Sequence, residues 1–181
     1  AELPFAQFLR ANLAGADLTG AKLNGGSFEL ADLSHAKLGN AEMVEMRLLQ
    51  AVLRGAMLRG AVLRASRLAQ IEEQNADFSI ADLADADLVM ANLTGAKLIG
   101  TNFAGAKLES AVLKGADMSL ARFEGADLTD ANFTDANWWT ARGLTTQQLV
   151  MLKAKFPPTA NAPQALQDDF ARWAEVPLPP Q

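Results

Sequence analysis

Few residues in this chain are equipped for covalent or acid–base chemistry, and their spacing argues against it. The single histidine, His35, follows Leu33 by two residues, and cysteine and tyrosine are absent. That excludes a thiol nucleophile, a thiolate metal site, a disulfide framework and a multi-histidine metal cluster. Serines and threonines are scattered with no histidine or lysine at a set spacing to activate them. The acid pair Asp85 and Asp87 and the glycine pair Gly25-Gly26 recur with a longer pattern. They do not form the paired acids of a hydrolase or a phosphate-cradling loop. The residues point to a protein that is not an enzyme and needs no cofactor or metal.

Charge is the chemistry that remains. Sixteen basic and 21 acidic residues give a formal net charge of −5. Arg47, Arg54, Arg59, Arg64 and Arg67 fall together, and Glu72, Glu73, Asp77, Asp82, Asp85 and Asp87 follow without a base between them. A basic girdle beside an acidic one suits a charged protein partner, whereas the net charge argues against direct nucleic-acid binding. Many Asp and Asn residues also have a local use, hydrogen bonding to the backbone at corners.

These charges are positioned by a five-residue period. From Leu3 to Trp138, 27 of 28 successive fifth positions are large and apolar, and two positions earlier the residue is Ala in 23 of the 28. Five steps of about 100° turn each large residue about 140° from the last, so no helix keeps them on one face. In extended backbone, residues two apart share a side. Ala and Leu or Phe therefore face inward, the residue between them faces out, and the next two turn the corner. Ten of the 13 glycines stand at the second corner residue, where a positive φ is tolerated. Each block is a minimal strand plus a corner, and such blocks are stabilised mainly by stacking on neighbours. Apolar residues are 50% of the chain and aromatics only 7%, which fits a core of small aliphatic side chains.

The blocks Ala11-Asn12-Leu13, Ala16-Asp17-Leu18, Ala31-Asp32-Leu33, Ala81-Asp82-Leu83, Ala91-Asn92-Leu93 and Ala126-Asp127-Leu128 resemble the Ala-(Asp/Asn)-Leu-x-x motif of the pentapeptide-repeat family. The resemblance implies an all-β solenoid: a right-handed quadrilateral β-helix with four blocks per coil, hence about seven coils over residues 1–140, and a rod roughly 34 Å long. Some relatives mimic the shape and charge of duplex DNA and bind DNA gyrase or topoisomerase IV, protecting it from quinolones or peptide toxins. The resemblance thus implies two partner classes. One is an unidentified protein bound by a scaffold, and the other is a type II topoisomerase bound by a DNA mimic. The arginine girdle and the modest net charge weigh against the second.

The pattern is irregular over residues 66–75. An ionised Glu73 in an aliphatic column costs several kcal/mol, so the sequence predicts a kink or bulge that ejects it to solvent, or a protruding Ile71–Asn75 segment that binds a partner; because the break is a multiple of five residues long, phase does not separate a degenerate block from a looped-out one. After Trp138 the rule stops. Residues 141–181 read as a short C-terminal α-helical cap. Thr145 and Gln148 have capping-box spacing, Leu149, Leu152 and Phe156 form one stripe, and Pro157-Pro158 ends the helix. A second helix is expected from Pro163, with Leu166, Phe170 and Trp173 on one face. With Trp138 and Trp139 these residues suit a cover for the last coil, and the resemblance offers homodimerisation through the same segment. No run approaches the roughly 18 apolar residues that span a bilayer. A cytoplasmic location is expected, with periplasm or thylakoid lumen as the alternatives if a leader was removed before Ala1. One test separates inward from outward positions: Leu93→Asp is expected to unfold or aggregate the protein in thermal denaturation, and Thr94→Asp to leave its stability within about 0.5 kcal/mol.

Overall fold

A computed structural model describes residues 1–178. Parallel bridges join residue i to residue i+20, from Glu2 with Lys22 to Arg122 with Arg142. Twenty residues are four blocks, so the chain winds into a four-sided β-helix in which each side stacks on itself one coil later. Three main-chain hydrogen bonds repeat at each step. The Leu3 N–H donates to the Lys22 carbonyl (2.8 Å), the Phe5 N–H to the Asn24 carbonyl (3.0 Å), and the Lys22 N–H back to the Ala1 carbonyl (2.9 Å). Each side is a single bridged residue and never lengthens into a continuous strand. The reason is local: of every five residues, two are spent in the corner.

The corners share one geometry. Every fifth residue from Phe5 to Asp135 has a positive φ, between 53° and 70°, and 17 of these residues are not glycine. The N–H of the next residue donates to the carbonyl three back, as from Ala6 to Leu3. A positive φ at the third residue of such a turn marks type II. Glycine at some corners answers a second demand. A Cβ on Gly55 would lie 2.7 Å from Nδ1 of His35, whose ring leans over it from the coil before.

Inside, Ala and Leu or Phe columns are almost wholly buried. Where Ala is replaced, neighbours compensate. Met46 fits because Gly26 precedes it in the column, where a Cβ would come 3.3 Å from the Met46 sulfur. Ser66 follows Met46 in that column, and its hydroxyl accepts from the Met46 N–H (2.9 Å) and donates to the Met43 carbonyl (2.7 Å). Thr101 likewise donates to the Phe78 carbonyl. Phe8 stacks near Phe28 and Phe103 on Phe123, with ring centroids 5.1 Å apart in each pair.

Residues 66–75 correct the sequence-based expectation. They form neither a bulge nor a loop, and Glu73 is fully buried with its side chain inward. Glu72 bridges both Val52 and Asn92, the Glu73 N–H donates to the Asn92 carbonyl (3.2 Å), and Asn75 keeps the corner φ of 60°. The ladder hydrogen bonds on both sides of the block hold it in phase, because ejecting Glu73 would forfeit them.

The regular helices among the described residues lie at the C-terminal end. A 3-10 turn spans Trp138–Thr140, helix α1 spans Thr146–Lys155 and helix α2 spans Gln164–Ala174. Thr145 caps α1 through a complete capping box with Gln148. Helix α2 begins one residue later than the sequence placed it, because Pro163 itself is the N-cap.

The corner geometry generates a prediction at Ile80, a β-branched residue held at φ 54° with its side chain exposed. The left-handed region costs an L-residue roughly 1–2 kcal/mol. Ile80→Gly is therefore expected to raise the urea midpoint, by about 1 kcal/mol of stability; a lowered midpoint would show that the corner is not strained.

Candidate interaction surface

The outward residues of each block are its second, fourth and fifth. The twenty-residue coil places Arg47 and Arg67 on one side in bridged register, and Arg54, Arg59 and Arg64 on the other three. The arginines thus encircle the rod, but three of the five are paired between coils. Arg47 pairs with Glu29 (2.7 Å), Arg54 with Glu72, and Arg64 with Asp82 (3.9 Å). In each case the fourth residue of a block meets the second residue 18 positions later, on the adjoining coil. These pairs are exposed, so each adds at most about 1 kcal/mol to stability. Two of them, Arg54 with Glu72 and Arg64 with Asp82, interlock the two girdles that the sequence places side by side. Glu29 went unrecognised as a partner of Arg47; opposite charges at an 18-residue offset are the signal, and it is visible only once the coil length is known.

The remaining charges divide by what they touch. Asp77, Asp82 and Asp87 each accept a hydrogen bond from the backbone N–H two residues on. Asp17 and Asp127 do the same, and the hydroxyls of Thr19 and Thr129, with those N–H groups, hold their carboxyls below the ordinary carboxylate value. Asp85 sits on a corner at φ 59°. Glu73 leaves the surface altogether. Among the described residues, Arg59, Arg67, Asp77, Asp85 and Asp87 have no ion-pair partner. Arg67 and Asp87 lie on one side, and Arg59 and Asp77 on another, where the exposed apolar residues Met57, Ile80, Ile99 and Leu120 also stand. His35 is an exposed corner residue packed over Gly55. Among the described residues no group of three or more His, Cys, Asp or Glu is placed to hold a metal, and no helix is long and apolar enough to cross a membrane.

At the C-terminal end the apolar stripes of α1 and α2 are spent on the rod. Leu152 is fully buried, while Leu149, Phe156, Leu166, Phe170 and Trp173 pack partly buried against the core. Trp138 donates from its indole N–H to the Phe156 carbonyl (2.9 Å), and Trp139 from its own to the Asp169 carboxylate (2.8 Å). Phe170 and Trp173 meet Trp138 edge-on, with centroids 5.9 and 5.1 Å away. Satisfying both indole N–H groups lets two large aromatics close the last coil without burying an unpaired donor.

A four-sided stack of five-residue blocks with an inward Ala-and-Leu column defines a solenoid of pentapeptide units. The chain belongs to the pentapeptide-repeat family: the family model for pentapeptide repeats matches in eight copies, over residues 1–29, 11–48, 31–70, 76–115 and 106–137. The gap between these matches, 71–75, is the block that contains Glu73. No protein of curated function matches the chain. Similar solved structures include a trypsin-treated variant of QnrB1, a plasmid-mediated fluoroquinolone resistance protein, with 21% identity, 82% of this chain and 80% of that one covered, and a TM-score of 0.49. HetL, a pentapeptide repeat protein involved in heterocyst differentiation regulation in the cyanobacterium Nostoc, shows 27% identity, 75% and 88% coverage and a TM-score of 0.23. A pentapeptide repeat protein of the Arabidopsis thaliana thylakoid lumen shows 24% identity, 87% and 88% coverage and a TM-score of 0.31.

Proposed function

We propose that the rod, taken as about seven right-handed coils, is a non-enzymatic scaffold that binds a protein partner through its charged outer faces. The observation that carries this reading is the division of charge. Arg47, Arg54 and Arg64 are engaged within the rod, whereas Arg59, Arg67, Asp77, Asp85 and Asp87 are held by the rigid ladder with their charges unpaired. On the side that carries exposed Met57, Ile80, Ile99 and Leu120, the unpaired Arg59 and Asp77 supply what a protein interface uses: an apolar centre and a polar rim that selects the partner.

A second reading has one observation in its favour. The arginine girdle stands against mimicry of duplex DNA, and three of its five members are neutralised by Glu29, Glu72 and Asp82. A DNA-mimicking rod would bind a type II topoisomerase and would work in the cytoplasm.

A supercoiling assay with DNA gyrase, with and without a quinolone, separates the two. The scaffold reading predicts no inhibition or protection by micromolar protein. It also predicts that a photo-crosslinking residue at position 59 captures a discrete partner in cells, and that Asp77→Lys, on the same side, abolishes the adduct. Gyrase inhibition or protection would replace the scaffold reading with the mimic. Identical adducts from positions 59 and 12 would contradict a specific surface.

A further inference from the structure

Glu73 is the one charged residue type at an inward position, and its surroundings give it nothing to bind. It is fully buried, and neither carboxyl oxygen has a hydrogen-bond partner. The equivalent positions one coil before and after are Leu53 and Leu93; the other inward residues of its own coil are Leu63, Leu68 and Phe78 at third positions and Ala61, Ser66, Ile71 and Ala76 at first positions, with the Ser66 hydroxyl already engaged by the Met46 N–H and the Met43 carbonyl. The contrast with Ser66 and Thr101 is sharp, since both of those inward hydroxyls reach a main-chain carbonyl. The charged residues on the blocks around Glu73 are Arg54, Arg64, Arg67, Glu72 and Asp77, and all five point outward, Arg54 and Glu72 to each other.

We propose that block 71–75 is a proton-controlled latch within the rod, closed while Glu73 is a neutral acid and opening locally when the carboxyl ionises, which releases Arg54 from Glu72. The geometry supplies both halves of the device. A carboxylate surrounded by leucines and unpaired is far less stable than the neutral acid, and burial pushes the Glu73 carboxyl well above its ordinary value of 4.5. A solenoid coil is held mainly by its two neighbours, so one weakened block opens without unfolding the whole stack. The inter-coil bonds that opening would break are those of Leu53 N–H to Glu72 O, Gly55 N–H to Gln74 O, Glu72 N–H to Ala51 O, Glu73 N–H to Asn92 O, Asn75 N–H to Thr94 O and Asn92 N–H to Ile71 O.

The direction of the pH dependence follows from where the proton resides. Below pH 4.5 the acid is neutral whether the block is closed or open, and closure is strongest. Above that pH the opened block loses a proton that the closed block retains. Closure therefore weakens as pH rises, until the raised value of the closed state is reached.

Native-state hydrogen exchange on the full chain between pH 5 and 8, expressed as protection factors, tests the latch. Protection of the Leu53, Gly55, Glu73 and Asn75 amides is expected to fall by up to about tenfold per pH unit. The amides of Leu13 and Leu113, on the same side in distant coils, should not change. Glu73→Gln and Glu73→Leu should each remove the slope, and Glu73→Leu should raise protection at neutral pH. A flat profile in the wild-type protein, an unchanged slope in both variants, or an equal slope at Leu13 and Leu113 would overturn the proposal.

Discussion

The hydrogen bonds between residue i and residues near i+20 are the constraint on which the rest of the structure depends. They are made by the backbone alone, and their i to i+20 register sets the coil at four blocks. Once they are in place, the first and third residues of every block must face a closed interior. Ala is small enough to let the sides approach, and Leu or Phe is large enough to fill the space between them. Each fully buried Leu or Phe contributes about 1.5–3 kcal/mol, and the columns repeat that contribution along the rod. The positive φ at every fifth residue is a consequence of the same constraint, since a side only five residues long must turn within two.

Different parts of this arrangement left different traces in the sequence. The inward columns were legible because they depend on side-chain size and polarity, and Leu3 to Trp138 displays that demand almost without exception. The number of blocks per coil was not legible from the residues, because backbone ladders leave no side-chain mark; it entered only through the family resemblance. The corner φ was partly legible. Glycine at Gly15 or Gly95 signals it, but Arg10, Ile80 and Met90 adopt the same conformation with no glycine to announce it. Glu73 was misjudged for a physical reason. The expectation of a bulge treated the side chain as an ion, whereas the ladder on both sides of Ile71–Asn75 keeps the block in place and the carboxyl takes the neutral form instead.

The arrangement of the outward charges is a pattern that the linear sequence does not display. Arg47, Arg54, Arg59, Arg64 and Arg67 look alike in the sequence, yet the coil distributes them over all four sides and gives three of them an acidic partner 18 residues away. What remains unpaired is a smaller set, Arg59 and Arg67 with Asp77, Asp85 and Asp87, and rigidity gives that set its value. A partner meeting these groups finds their backbone already ordered, so no loop entropy is lost on binding, and the cost that remains is fixing the exposed side chains. The cap serves the same end. By covering the last coil with Trp138, Trp139, Phe170 and Trp173 it closes one end of the stack and lets the ladder stay regular up to its final turns.

The twenty-residue register is the central claim, and a distance tests it most directly. The chain has no cysteine, so Ala14→Cys and Lys114→Cys carry a unique pair of spin labels at exposed fourth positions of one side. Five coils of four blocks put these backbones about 24 Å apart, in a narrow distribution, as measured by pulsed electron paramagnetic resonance. A three-block coil would place them on different sides and roughly 32 Å apart along the rod. A value near 24 Å is the result this account requires, and one near 32 Å, or a broad distribution, would contradict it.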